Sequence, residues 1–206
     1  MISFDAWLAF TAATAVLLVV PGPTLMLVMS YALGQGTRAA LPAAVGVALG
    51  DFTSMTLSML GLGALLAASA DLYAALRWVG AAYLIRLGVT MWRAGGTSAA
   101  EPARDRVAAV KMVMHAWAVT ALNPKSITFF VAFLPQFMDP SRDFLTQMLV
   151  FETTFVVLAF ANALAYALLA GRARGFMRSE GALRTVNRLG GGVLIGAGVM
   201  VAASKT

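Results

Sequence analysis

Two helix-breaking motifs lie inside long apolar runs of this chain, and together they constrain its fold more than any other feature. Pro21-Gly22-Pro23 interrupts the first run and Asn123-Pro124-Lys125 the fourth, each near the middle of a stretch otherwise fit to cross a bilayer. Proline lacks a backbone donor and clashes with the turn before it, so it leaves carbonyls that lipid cannot satisfy. Such a break is tolerated at membrane depth only where it packs on protein or lines a cavity. Two breaks at corresponding places in the two halves of a chain mark the binding site of a transporter.

Composition agrees with a membrane setting. Of 206 residues, 60% are hydrophobic and 12% charged, and the mean hydropathy is +0.82. A soluble domain of this length has no use for so much apolar side chain. The chain has no cysteine, which excludes disulfides, thiolate catalysis and cysteine-held metals. A net charge of +6 would point to nucleic acid in a soluble protein, but here the basic residues flank apolar runs. They therefore read as topology signals, and no nucleic-acid partner is expected.

Runs of spanning length fall at about 6–33, 39–70, 72–92, 112–138, 144–170 and 186–204, each near the roughly 20 residues a bilayer requires. This predicts an all-α integral membrane protein of six transmembrane helices in a single membrane domain. Arg38, Arg93, Arg104, Arg106, Lys111, Arg172, Arg174, Arg178, Arg184 and Arg188 fall after spans one, three and five, and 171–188 reads as a basic loop. The opposite side carries Arg77, Arg142 and Lys205. Positive loops stay cytoplasmic, so both termini are expected in the periplasm. Residues 1–20 do not read as a cleaved signal peptide, because Met1 to Asp5 holds no basic residue and the apolar run continues past the Pro-Gly-Pro.

Three spans per half require the second half to be inverted. Gly80-Ala81-Ala82-Tyr83-Leu84-Ile85-Arg86-Leu87-Gly88-Val89 aligns with Gly190-Gly191-Gly192-Val193-Leu194-Ile195-Gly196-Ala197-Gly198-Val199 at its Gly, Leu-Ile and Gly-Val positions. The expected plan is two inverted three-helix repeats, at about 4–93 and 112–204, joined by a cytoplasmic loop at about 94–111.

A rise of 1.5 Å per residue places Asp51 and Lys125 near mid-span, at the depth of the helix breaks. A charge there costs at least about 2.5 kcal/mol, so both should face the bundle interior and could face each other. They are either an ion pair that pins two helices or part of a binding site. Gly46 to Gly50, preceding Asp51, forms a small-residue face suited to close helix approach. Asn123, Asn162 and Thr24 are neutral polar candidates on the same pathway. Glu152, in the outer half of span five, is a gate or vestibule carboxylate. His115 reads as interfacial, and Trp7, Trp78 and Trp92 suit an interfacial belt.

The chain resembles the LysE/RhtB family of amino-acid exporters along nearly its whole length. The resemblance rests on Pro21-Gly22-Pro23; Gly36, Arg38, Gly46 and Gly50-Asp51; Gly80-Ala81-Ala82-Tyr83-Leu84 with Gly88; and Asn123-Pro124-Lys125 leading through Phe129-Phe130 to Phe133-Leu134-Pro135-Gln136-Phe137. Thr24 departs from it, standing where family members often carry Asn. The resemblance implies a six-helix inner-membrane exporter of small amino acids or their derivatives, driven by the proton gradient; no cofactor and no metal are expected. For that substrate class, half-helix N-termini after Pro23 and Pro124, with Lys125, suit a carboxylate. Asp51 can accept an ammonium or carry a coupling proton. The Gly faces would permit a homo-oligomer.

Other classes fare worse. One histidine, no cysteine, no His-Glu-x-x-His and no Gly-x-Ser-x-Gly leave an intramembrane enzyme without a nucleophile or ligand set. Electron transfer through paired cysteines is excluded. A passive channel or a structural membrane subunit remains the alternative to a carrier.

Overall fold

The helices start and stop where the sequence supplies caps and breakers. In the computed structural model, which describes residues 2–68 except Pro21, 107–178 except Pro140, and scattered positions within 78–93 and 181–199, all regular structure is helical. Ser3 accepts the Ala6 N–H to open α1, Phe4–Val19. Val20 and Gly22 are extended, and Pro23 takes the first position of α2, Pro23–Gln35, where its missing N–H costs nothing. Gly36 has φ of 70°, a left-handed conformation that glycine adopts freely, and a 3-10 turn at Gly36–Ala39 leads into α3, Ala40–Ala68. In the second half α4 spans Ala109–Ala121 and α5 Pro124–Ala132, with Asn123 capping α5. A 3-10 turn at Leu134–Phe137 and an Asp-rich turn precede α6, Phe144–Arg178.

By length and apolarity, two helical stretches can cross a bilayer, Pro23–Gly61 and Phe144–Ala170, and a third if α4 and α5, bent by 48°, count as one span. Side-chain contacts give the directions. On α2, Thr24 meets Thr120 and Asn123 while Tyr31 meets His115, so α2 runs against α4. On α3, Gly46 packs on Val113 and Ala116, and Gly50 on Trp117 and Thr120, so α3 runs with α4. The stretch Pro23–Gly61 is therefore a hairpin that reverses at Gly36. Trp7 bonds to Thr154 and Leu18 to Asn162, so α1 runs with α6. Thr56 meets Glu152, while Asp51 and Asn162 share a cavity, so α6 runs against α3. Phe10 meets Phe137 while Leu17 and Val20 meet Lys125, so α5 runs against α1. Among the described residues the helices thus pack as four runs: broken α1–α2, α3, broken α4–α5 in the opposite sense to α1–α2, and α6.

One expected boundary is wrong. Residues 171–188 were expected to form a basic loop, yet α6 runs on unbroken from Ala170 through Gly171 to Arg178. Arginine and alanine are good helix formers, and a charge run that sets topology does not by itself stop a helix. Spans three and six, the Gly80 and Gly190 repeat segments, Lys205 and the 94–106 part of the connecting loop lie largely or wholly outside the described residues. Of these, Trp92 lies against Gly192, where an added Cβ would come within 3.2 Å of the indole.

A phenylalanine cluster fills the bundle between α1, α5 and α6. Phe10 meets Phe151 at a tilt with ring centres 4.7 Å apart and Phe137 edge-on at 5.5 Å, and Phe130 meets Phe155 edge-on at 4.7 Å, with Phe129 buried among them. At the other end of α2, Tyr31 Oη and His115 Nδ1 are 2.7 Å apart, which puts His115 on a bundle contact.

Candidate functional site

The end of α1 is the unusual part of the bundle. A helix terminus leaves about four carbonyls without intrahelical donors, and at membrane depth water is not freely available to take them. Here each is met by a side chain. Lys125 Nζ donates to the carbonyls of both Leu17 and Val20, at 2.9 Å each. Asn162 Nδ2 donates to Leu18 O at 3.0 Å and Tyr166 Oη to Val19 O at 2.8 Å. The break at Pro21-Gly22 is held open by donors from α5 and α6. Pro21 itself lies outside the described residues.

The second break packs onto the first. Asn123 Oδ1 accepts the Lys125 N–H at 3.0 Å and so caps α5 behind Pro124, while its Nδ2 donates to Thr24 Oγ1 at 3.1 Å. Thr120 reaches the same hydroxyl at 3.3 Å. Asp51, Asn123, Lys125, Asn162, Thr24 and Gly22 thereby surround one cavity of about 30 Å³, with Leu17, Val47, Ser126 and Ala159 completing its wall. That volume suits a water or two and is too small for an amino acid.

Asp51 is 2% exposed, and its Oδ1 has no hydrogen-bond partner. Ser54, one turn along α3, and Thr14 on α1 are also buried with hydroxyls unmet. Buried polar atoms of this kind ordinarily hold water.

Lys125 lies between the two breaks, and its contacts bear on the alternatives left open for it. Asp51 and Lys125 share the cavity wall but are not in ion-pair contact, for the one ion pair within 4 Å among the described residues joins Arg142 and Asp139 in the turn before α6. The Lys125 ammonium turns away from the N-terminus of its own helix and reaches the negative, carbonyl end of α1, beside Gly22 at the start of α2. The unfilled carbonyls draw it there. Of the two half-helix N-termini, only that of α2 has no side-chain cap, because Gly22 has none to offer.

Glu152 stands apart from this cavity. It is buried on α6, accepts from Thr56, and lies seven residues from Ala159, about 10 Å by helical rise. Tyr166, Thr120 and Ser54 were not anticipated. Tyr166 is one turn from Asn162, Thr120 one turn from Asn123, and Ser54 one turn from Asp51, so helical spacing from the polar residues already singled out would have found them.

Outside the bundle, the turn before α6 carries its own charge arrangement. Asp139 accepts from the hydroxyl and N–H of Ser141 and pairs with Arg142, and these contacts hold its carboxyl below the usual range. Asp143 caps α6 through the hydroxyl and N–H of Thr146, with the same effect on its carboxyl.

The sequence profile of a known family matches residues 15–205, a stretch that holds both helix breaks and the cavity they enclose. The chain belongs to the LysE type translocators. Among its relatives, a membrane protein of Vibrio cholerae with no assigned function is 34% identical over 97% of both chains. The homoserine/homoserine lactone efflux protein of Salmonella typhimurium is 29% identical over 98% of both. The leucine efflux protein of the same organism is 30% identical over 75% of this chain and 74% of its own. No solved structure matches this translocator.

Proposed function

We propose that this translocator is a secondary-active exporter of small amino acids or their derivatives across the inner membrane, coupled to protons. The observation that carries the reading is the packing of two helix breaks, from oppositely directed runs, around one cavity walled by Asp51 and Lys125. Relatives named for efflux of homoserine, homoserine lactone and leucine support the substrate class. One carboxylate and one ammonium in the wall suit a zwitterion with a neutral side chain, and Glu152 is too far away to serve a second positive charge.

The remaining architecture follows the sequence reading: six helices in two inverted repeats, at about 4–93 and 112–204, and both termini in the periplasm. A homo-oligomer is compatible with it. In that orientation the phenylalanine cluster lies on the periplasmic side of the cavity, and with a cavity of about 30 Å³ the bundle is occluded. Rocking of one repeat against the other would open it. Asp51 is the assigned coupling carboxylate, with Asn123, Asn162 and Thr24 as neutral contacts and Glu152 farther along the proton path.

The test is flux of radiolabelled leucine and homoserine in vesicles carrying the purified protein, with an imposed pH gradient. Saturable flux that follows the gradient is the expected result. Flux that neither saturates nor responds to pH would make the protein a channel, and no flux of any small amino acid would leave it a structural subunit.

A further inference from the structure

The Lys125 ammonium occupies a cation site that its own helix did not build. Its two acceptors belong to α1, and they sit at the negative end of that helix's dipole. Gly22 lies close by, where an added Cβ would stand 3.6 Å from Nζ. Asp51 walls the same cavity with an oxygen that has no partner. The neighbouring carbonyls of Leu18 and Val19 are tied separately, by Asn162 and Tyr166.

We propose that this carbonyl cage, with Asp51, is the binding site for the substrate's ammonium, and that Lys125 is a tethered stand-in which gives the cage up when substrate loads. The proposal rests on the amino-acid reading above. An α-ammonium and a lysine ε-ammonium are the same chemical group, a compact cation with three N–H donors. The two cannot share one pair of carbonyls. The substrate's carboxylate is repelled by Asp51 and by the carbonyl end of α1, and the one cation in the cavity wall is the displaced Lys125. Released, Lys125 meets that carboxylate. With Asp51 ionised the cavity wall holds one positive and one negative side chain, and a zwitterion adds no net charge, so loading itself buries no uncompensated ion.

Chemical rescue tests this in the purified full chain at pH 7. Lys125→Ala empties the cage, and n-propylammonium should refill it. At ten times its dissociation constant it should raise the variant's unfolding midpoint by about 3–6 °C, saturably. Tetramethylammonium, which has no N–H to donate, should have no effect at equal ionic strength, and wild type, whose cage is full, should not respond to either. If the single variant does not fold, Lys125→Ala combined with Asp51→Asn removes the uncompensated carboxylate and must still be stabilised by propylammonium through the carbonyls. Absence of stabilisation, or equal stabilisation by tetramethylammonium, overturns the proposal. Either result leaves the exporter reading to the flux assay. Rescue in a protein that moves no amino acid would sink transport while leaving a real ammonium site.

Discussion

Gly50→Ala should separate α3 from α4 at the level of the cavity. A Cβ added there would stand 2.6 Å from Thr120 Cβ, 2.8 Å from Trp117 O and 3.0 Å from Ala121 N. Two of those atoms are backbone, so no rotamer change relieves the contact, and the helices must part by roughly 1 Å to regain ordinary van der Waals distance. Overpacking of this kind costs about 1–3 kcal/mol, while alanine recovers up to about 1 kcal/mol of helix propensity. The net loss of up to about 2 kcal/mol should lower the unfolding midpoint by up to roughly 8 °C. Thr120 also bonds to Thr24, beside the Asn123 cap, so the shift should reduce transport as well. The control is Gly61→Ala on the same helix, where nothing lies within 4 Å of the added carbon and stability should hold or rise slightly. Thermal unfolding and vesicle flux of both variants decide the matter. Equal stability and equal flux for the two would refute close packing of α3 on α4.

Asp51→Asn should accumulate normally yet lose at least about tenfold of its pH-gradient-driven flux, because the amide keeps size and hydrogen bonding but exchanges no proton. Flux that still follows the gradient would move the coupling role to Glu152. The Asp139–Asp143 turn should stay closed at neutral pH and open only in strong acid. Both carboxyls are held below their unfolded value, so the stabilisation is present above about pH 4 and is lost as pH falls further, through the folded values. Proteolysis of this exposed turn at graded pH measures it, and opening already at pH 5 would contradict the assigned hydrogen bonds.

Much of the site was legible because the relevant signals are local. A proline deep within an apolar run breaks or restarts the helix there, so Gly22-Pro23 and Asn123-Pro124 could be placed without a partner in view. Depth by helical rise then put Asp51 and Lys125 near mid-span, with Asn123, Asn162 and Thr24 as polar candidates on the same pathway, and the structure has all five around one cavity. Gly46 and Gly50 announced close packing because few other residues permit it. The partner of Lys125 was not legible. Its acceptors are main-chain carbonyls, which every residue carries, so no side-chain pattern marks Leu17 and Val20 as different from their neighbours. The phenylalanine cluster was hidden for a related reason: in an apolar span each ring reads as ordinary lining, and only tertiary contact makes a plug of them.

The hydrogen bonds of Lys125 also bear on why a carrier of this design would not open empty. Hydrogen bonds to a charged group are worth about 1.5–3 kcal/mol each. Withdrawing the ammonium from both α1 carbonyls with nothing in its place therefore costs roughly 3–6 kcal/mol, enough to suppress the open state by about two to four orders of magnitude. An incoming ammonium of the same kind restores those bonds and removes the penalty. A ligand shifts an equilibrium only by its differential affinity for the two states, and here the difference is the pair of bonds that Lys125 gives up. Asn162 and Tyr166 do not enter that exchange, because each holds a carbonyl that Lys125 does not touch. Gating and recognition would then be one event at one helix end, with the tethered amine setting the cost of opening and the free amine cancelling it.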